Sequence, residues 1–233
     1  MNYYPLFLNL KGRPVVVIGG GAVAERKTAS LLRAGAAITV ISPSFTPRLA
    51  RWEAEKRIIA HHRPYRRGDL DGAALAFAAT DQPSVNEAVA REGRRKRIPF
   101  NLADRSDSDG FIVPAVFSKG GMTIAVSSGG KSPALAKRIR DYVKDNLHPE
   151  EQRWVELLAQ IKRILISKKV SPPKRRAILN RLAESDGAIL YRKGEIQAAN
   201  TLLLKLSGLR RTDLSLPAVT SLENGTTRGK GIR

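Results

Sequence analysis

The chain contains no cysteine, so disulfide staples and thiolate metal sites are excluded. Histidine is scarce, with three in 233 residues. His61 and His62 are adjacent and would point to opposite faces of a strand, so a shared metal is not expected. Aromatic residues make up 6%, and none forms the aromatic-interleaved basic patch of a nucleic-acid surface. Acids are outnumbered, 21 against 41 Lys and Arg, for a net charge of +20. No apolar run approaches the ~20 residues that a membrane helix needs. Residues 1–11 lack a basic segment followed by an apolar one, so no secretory signal is expected. These absences lead to the expectation of a cytoplasmic protein with no membrane partner.

What is present is enough to build a core. At 42% hydrophobic, 233 residues make one large domain or two modest ones. The positive excess suits a polyanionic partner, either nucleic acid or a small molecule with many carboxylates. A merely solvated basic surface is the alternative.

Residues 15–24 read V-V-V-I-G-G-G-A-V-A. A β-branched run of this kind marks a buried strand, and helical spacing begins directly after the glycines. Gly19-x-Gly21-x-x-Ala24 is the dinucleotide fingerprint. Gly19 permits the tight turn, Gly21 lets a pyrophosphate approach the backbone, and Ala24 lets the helix pack closely. Free N–H groups at the helix start then face the phosphates. The candidate cofactor-binding residues are Gly19, Gly20, Gly21, Ala22, Val23 and Ala24, with Ser42, Pro43, Thr80 and Asp81 at later strand ends.

Helices are expected over residues 22–33, 46–56 and 83–96, alternating with strands at 38–41, 58–61, 75–79 and 98–102. Gly35 stands where a helix C-cap belongs. Residues 3–10 are an apolar lead-in that should pack beside the first strand. Alternation of this kind predicts an α/β, Rossmann-like, doubly wound parallel sheet, with ligands beyond the carboxyl ends of its strands. That rim takes in 19–21, Ser42, Thr80, Asp81 and 101–104. An acid that would bind the ribose 2′-OH of NAD is absent from the end of the second strand, where Ser42 and Pro43 stand instead. Arg48 is the nearby arginine and is read as a surface helix residue.

The pattern changes after Asp104. Residues 111–117 and 122–127 read as a hairpin, and a helix opens at Pro133 and reaches about 146. Gly130-Lys131-Ser132 resembles the end of a P-loop, but the required first glycine is replaced by Ala125. What remains is a serine- and glycine-rich helix N-terminus beside Lys131, with Ser132 as its expected cap, suited to a carboxylate or phosphate or else only to capping. Helices follow over 150–166, 171–183 and 195–206, with a short strand at 188–191. The expected divisions are a dinucleotide-binding domain over 1–113, a hairpin-plus-helix segment over 114–149, a helical C-terminal domain over 150–210 and a disordered tail over 211–233.

Six stretches carry a resemblance. They are Tyr4-Pro5-Leu6-Phe7-Leu8, residues 17–27 (V-I-G-G-G-A-V-A-E-R-K), Ala78-Ala79-Thr80-Asp81, Asn101-Leu102-Ala103-Asp104, Phe111-Ile112-Val113-Pro114-Ala115, and residues 125–136 (A-V-S-S-G-G-K-S-P-A-L-A). With them the chain resembles the precorrin-2 dehydrogenase/sirohydrochlorin ferrochelatase family, which includes the N-terminal half of bifunctional siroheme synthases. The resemblance covers most of residues 1–145 and is carried most specifically by the last block.

It implies that NAD+ accepts a hydride from precorrin-2, a polycarboxylate tetrapyrrole, to give sirohydrochlorin. Some family members then insert Fe2+. It further implies a homodimer whose interface lies in the hairpin segment, and it places the catalytic aspartate at Asp104, which would also guide the metal in a chelatase. Ser128, Gly129, Gly130 and Lys131 are expected to face substrate carboxylates. The basic charge then needs no nucleic acid. The competing reading is a non-catalytic NAD-binding regulatory module, which leaves Asp104 and the 127–133 block without a role.

Overall fold

The computed structural model describes residues 3–103 and 110–216. The chain divides into two compact units, Met1–Pro114 with Ser127–Pro133, and Ala115–Val126 with Ala134–Arg233.

The first unit is built on five parallel strands, β1 (Pro14–Ile18), β2 (Ala37–Ile41), β3 (Ile59–His61), β4 (Leu75–Ala78) and β5 (Phe100–Leu102), in the order β3-β2-β1-β4-β5. Helix α1 (Ala22–Arg33) crosses from β1 to β2, α2 (Pro47–Ala54) from β2 to β3, and α3 (Pro83–Lys96) from β4 to β5. Strand side chains alternate between faces. Val15, Val17, Ile38, Val40 and Phe77 meet Ala24 and Leu31 of α1 and Leu49 and Trp52 of α2. Val16, Ile18, Ala76 and Ala78 meet Val89 and Ala90 of α3. Both faces are therefore covered, which is why β1 reads as continuously apolar rather than alternating. The sheet is Rossmann-like and doubly wound, as expected, and Gly35 takes the left-handed conformation after α1 at φ +73°.

In the second unit, β6 (Ala115–Lys119) and β7 (Met122–Val126) form an antiparallel hairpin. Helices α4 (Pro133–Asn146), α5 (Pro149–Ser167), α6 (Pro172–Ala183), α7 (Gly187–Arg192) and α8 (Ile196–Ser207) follow. Trp154, Leu157, Ile161 and Leu165 of α5 form the centre of a helical core with Leu182, Tyr191 and Leu203. Among the described residues, no helix is long and apolar enough to cross a membrane.

Four expectations change. The 188–191 segment is part of helix α7, packed against α5 and α8, and its backbone groups are paired within the helix. The lead-in leaves Tyr4, Leu6, Phe7 and Leu8 exposed and sends only Leu10 onto the core, since β2 and β4 already flank β1. Phe111 precedes the hairpin rather than starting it. Pro114 lacks a ladder N–H, and the Phe111 ring packs edge-on to Phe77 at 5.3 Å. Finally, residues 211–213 form a 3-10 turn (Arg211–Asp213) and Leu214 is buried on the helical core, while 217–233, the rest of the expected tail, lie outside the described residues.

Candidate functional site

The turn after β1 is shaped by three glycines with different tasks. Gly19 sits at φ +120°, a conformation that side chains avoid, and a Cβ there would lie 2.3 Å from the Ala79 carbonyl oxygen. Its N–H donates to Ile41 O at 2.9 Å. Gly20 is crossed by the β2–α2 loop. A Cβ would fall 1.8 Å from Ser44 O and 2.9 Å from Ser42 Oγ, and Thr46 N donates to Gly20 O at 3.0 Å. Gly20 therefore serves backbone packing. Gly21 is the N-cap of α1, with φ −84° and no side-chain cap, and a Cβ there would meet nothing within 4 Å. The open side of the cradle is at Gly21, where unpaired N–H groups at the start of α1 can receive a pyrophosphate. A dinucleotide thus fits the residues present. Ala24 is fully buried beneath this turn, while Ala22 and Val23 stand exposed on the first turn of the helix.

The structure brings three of the expected strand ends together. Ser42 is buried against Gly20, with Pro43 exposed beside it, and Thr80 follows the Ala79 carbonyl that faces Gly19. Thr80 is held by Asn86. Asn86 Oδ1 accepts from Thr80 Oγ1 at 2.8 Å and from Thr80 N at 3.3 Å, and its Nδ2 donates to Thr80 O at 3.1 Å. Asp81 is exposed in the same turn. Arg48 lies over the Trp52 ring at 4.8 Å and pairs with Glu25 at 3.4 Å.

Two site-positioning residues escaped the sequence reading of the rim. Asn86 looked like an ordinary helix residue. Lys27 lay within the resemblance motif but had no assigned role. Its Nζ donates to Asn101 Oδ1 at 2.9 Å and lies 5.5 Å from the Phe77 ring centre. Asn101 Nδ2 in turn donates to Phe111 O at 2.8 Å. Burial, and Arg26 beside it, pull the Lys27 ammonium below the ordinary lysine pKa. A lysine at this position on α1 that is followed by apolar strands was the available signal.

Asp104, expected as the catalytic and metal-guiding residue, lies outside the described residues, as do Asp107 and Asp109. The 127–133 loop belongs to the same compact unit as the cradle. Gly129 and Gly130 take positive φ, +64° and +85°. Ser128 Oγ accepts from Ser132 N at 2.8 Å, Ser127 Oγ accepts from Gly129 N at 3.0 Å, and Lys131 is exposed. Among the described residues no three His, Cys, Asp or Glu gather as a metal site.

Residues 6–115 match the family described as putative NAD(P)-binding, and residues 119–146 match "Sirohaem biosynthesis protein central". The chain is similar to the siroheme synthase of Methylobacillus flagellatus, 42% identical over 144 residues, covering 62% of this chain and 31% of the relative. It is 35% identical to that of Nitrosomonas europaea over 204 residues, 87% of this chain and 43% of the relative. That match extends into the C-terminal helices, beyond the 1–145 stretch that carried the resemblance. The chain thus spans well under half the length of these relatives. Among solved structures, one titled "SirC, precorrin-2 dehydrogenase" superposes with a TM-score of 0.75 at 25% identity, covering 89% of this chain and all of that one.

Proposed function

We propose that the chain belongs to the precorrin-2 dehydrogenase/sirohydrochlorin ferrochelatase family, as the counterpart of the N-terminal part of siroheme synthases, and that it oxidises precorrin-2 to sirohydrochlorin. The observation that carries this reading is the cradle open at Gly21. NAD+, when bound there, supplies the hydride acceptor. Arg48 supports NAD over NADP, because its guanidinium is engaged by Glu25 and Trp52 rather than free for a 2′-phosphate.

The oxidation removes a hydride and a proton from the substrate, so the protein must supply a base. Asp104 is assigned that role. In sequence it follows the last residue of β5 by two positions. Ser128, Gly129, Gly130 and Lys131 are assigned to the substrate carboxylates, with the exposed Lys131 ammonium and the loop N–H groups as donors. Ser42, Pro43, Thr80 and Asp81 complete the cofactor cradle. Where Fe2+ is inserted, Asp104 would accept pyrrole protons or guide the ion.

A homodimer is part of the proposal. Leu135, Ile139 and Tyr142 of α4 are 50%, 44% and 69% exposed at spacings that share one helix face, an apolar surface that suits a second copy. The lack of cysteine fits work in a reducing cytoplasm. The reading divides the chain into a dinucleotide domain over 1–113, a dimerisation and substrate segment over 114–149 and a helical domain over 150–210.

The test supplies precorrin-2 and NAD+ without oxygen and follows sirohydrochlorin absorbance, then adds Fe2+. One NADH should form per sirohydrochlorin. Asp104→Ala should keep NAD+ affinity and lose turnover by on the order of 100- to 10,000-fold, the usual loss for a general base. Lys131→Ala should raise KM for the tetrapyrrole alone. Binding of NAD+ without turnover would overturn the enzyme reading in favour of a regulatory module.

A further inference from the structure

We infer that the groove between helix α3 and the loop of residues 62–74 is a second anion site, built for a compact ligand carrying two or more oxyanion groups. None of its residues belongs to the glycine cradle, so the inference stands apart from the proposed reaction.

The loop is folded onto α3 by one buried acid. Glu92 is 3% exposed and accepts from the Tyr65 hydroxyl and from Gly68 N at 3.0 Å, while Lys96 pairs with it from the next turn. Asp69 closes the other side. It takes Arg63 in two parallel hydrogen bonds of 2.7 and 2.8 Å and Arg66 N at 2.7 Å. Between loop and helix lies a groove of about 310 Å³ lined by Tyr65, Arg67, Ala88, Arg91, Glu92 and Arg95.

The pairing pattern around this groove is selective. The neighbouring cations are neutralised, Arg63 by Asp69, Lys96 by Glu92 and Asp71, and Arg94 by Glu87 at 3.3 Å. The three cations that line the groove, Arg67, Arg91 and Arg95, are exposed, and among the described residues none has a hydrogen-bond or ion-pair partner. Glu92 also lines the groove, but its hydrogen bonds and ion pair run to Tyr65, Gly68 and Lys96 and not to these three arginines. Arg91 and Arg95 are one turn apart on α3 and share a face, and Arg67 approaches from the loop. Three unpaired guanidinium groups around one concavity repel each other and raise a positive potential there. Each presents a planar fork that meets carboxylate or phosphate oxygens in pairs. The volume falls at the lower end of the range of roughly 300–1,000 Å³ typical of small-ligand sites, larger than a single phosphate requires. The ligand chemistry is therefore a small body with several oxyanions, and two sources supply it, phosphate esters and polycarboxylates.

The test is calorimetric titration of the full chain with inorganic pyrophosphate in one arm and citrate in the other, at 50 and 200 mM salt. The informative signal is the part removed by R91Q/R95Q, because pyrophosphate at the glycine cradle survives in that variant. We expect saturable binding in at least one arm, a loss of tenfold or more in R91Q/R95Q and in R67Q, and unchanged binding in R94Q, whose arginine is paired and does not line the groove. All four side chains are exposed, so thermal melting should be the same in every variant and in wild type. The arm that binds identifies the source as phosphate or carboxylate. Absence of saturable binding in both arms, or an equal loss in R94Q, would overturn the site.

Discussion

Two alanines placed two residues apart in the 19–21 turn should have opposite effects, and the structure sets the size of each. In Gly19→Ala the new methyl sits 2.3 Å from Ala79 O and 2.7 Å from Ala79 C. Neither atom can retreat easily, because Ala79 N donates to Ile18 O at 2.8 Å and Ala103 N donates to Ala78 O at 2.9 Å. Relief requires parting β1 from β4 at their carboxyl ends. Side chains at φ +120° also carry backbone strain of about 1–3 kcal/mol, and overpacking adds about 1–3 kcal/mol. The expected loss is on the order of 2–6 kcal/mol, a large part of the roughly 5–15 kcal/mol that holds a domain together. In Gly21→Ala the methyl meets nothing within 4 Å and the backbone is already at φ −84°. Stability should change by less than about 1 kcal/mol, since weaker N-capping and lower unfolded-state entropy oppose each other. The same methyl occupies the space into which a pyrophosphate must come, so NAD+ affinity should fall tenfold or more, about 1.4 kcal/mol. Urea unfolding followed by far-UV circular dichroism measures the first effect and calorimetric titration with NAD+ the second. Wild-type stability in Gly19→Ala, or wild-type NAD+ affinity in Gly21→Ala, would refute this division of labour.

Lys27→Met should be least harmful near neutral pH. Burial lowers the Lys27 pKa, so between the folded value and the unfolded 10.5 the unfolded chain binds more protons, and wild-type stability rises with pH there. Urea unfolding at pH 7 and pH 10 should therefore find wild type gaining on Lys27→Met at the higher pH, and the reverse trend would refute it. Asp69→Asn should behave in the opposite sense. Burial alone would raise the Asp69 carboxyl, but the hydrogen bonds from Arg63 and the Arg66 amide outweigh it and hold it below 3.8. Its contribution is present above 3.8 and is lost as pH falls through the folded value, so the deficit of Asp69→Asn should be full at pH 7 and close in acid, as acid titrations of both proteins by circular dichroism would record.

Features that depend on a few consecutive residues were legible in the sequence. A β-branched run, three glycines and a helical repeat within residues 15–33 define the β1–α1 cradle, because strand burial, turn geometry and helix spacing are local constraints. Helices α1 and α3 and the end of α4 fall where the spacing placed them. The tertiary structure decided whatever depended on a partner far along the chain. Nothing near Gly20 announces that Ser44 O will stand where its side chain would be. Lys27 and Asn101 are 74 positions apart, and their contact exists only because α1 packs on the sheet face that carries Phe77 of β4, beside β5. The apolar segment at 188–191 suits a strand or a helix equally. Its state was decided by the helices α5 and α8 that pack beside it and by the seat that Trp154 offers Tyr191, with ring centres 5.9 Å apart. Backbone hydrogen bonds must be satisfied somewhere, and in a short apolar run that somewhere is set by neighbours the local sequence does not contain.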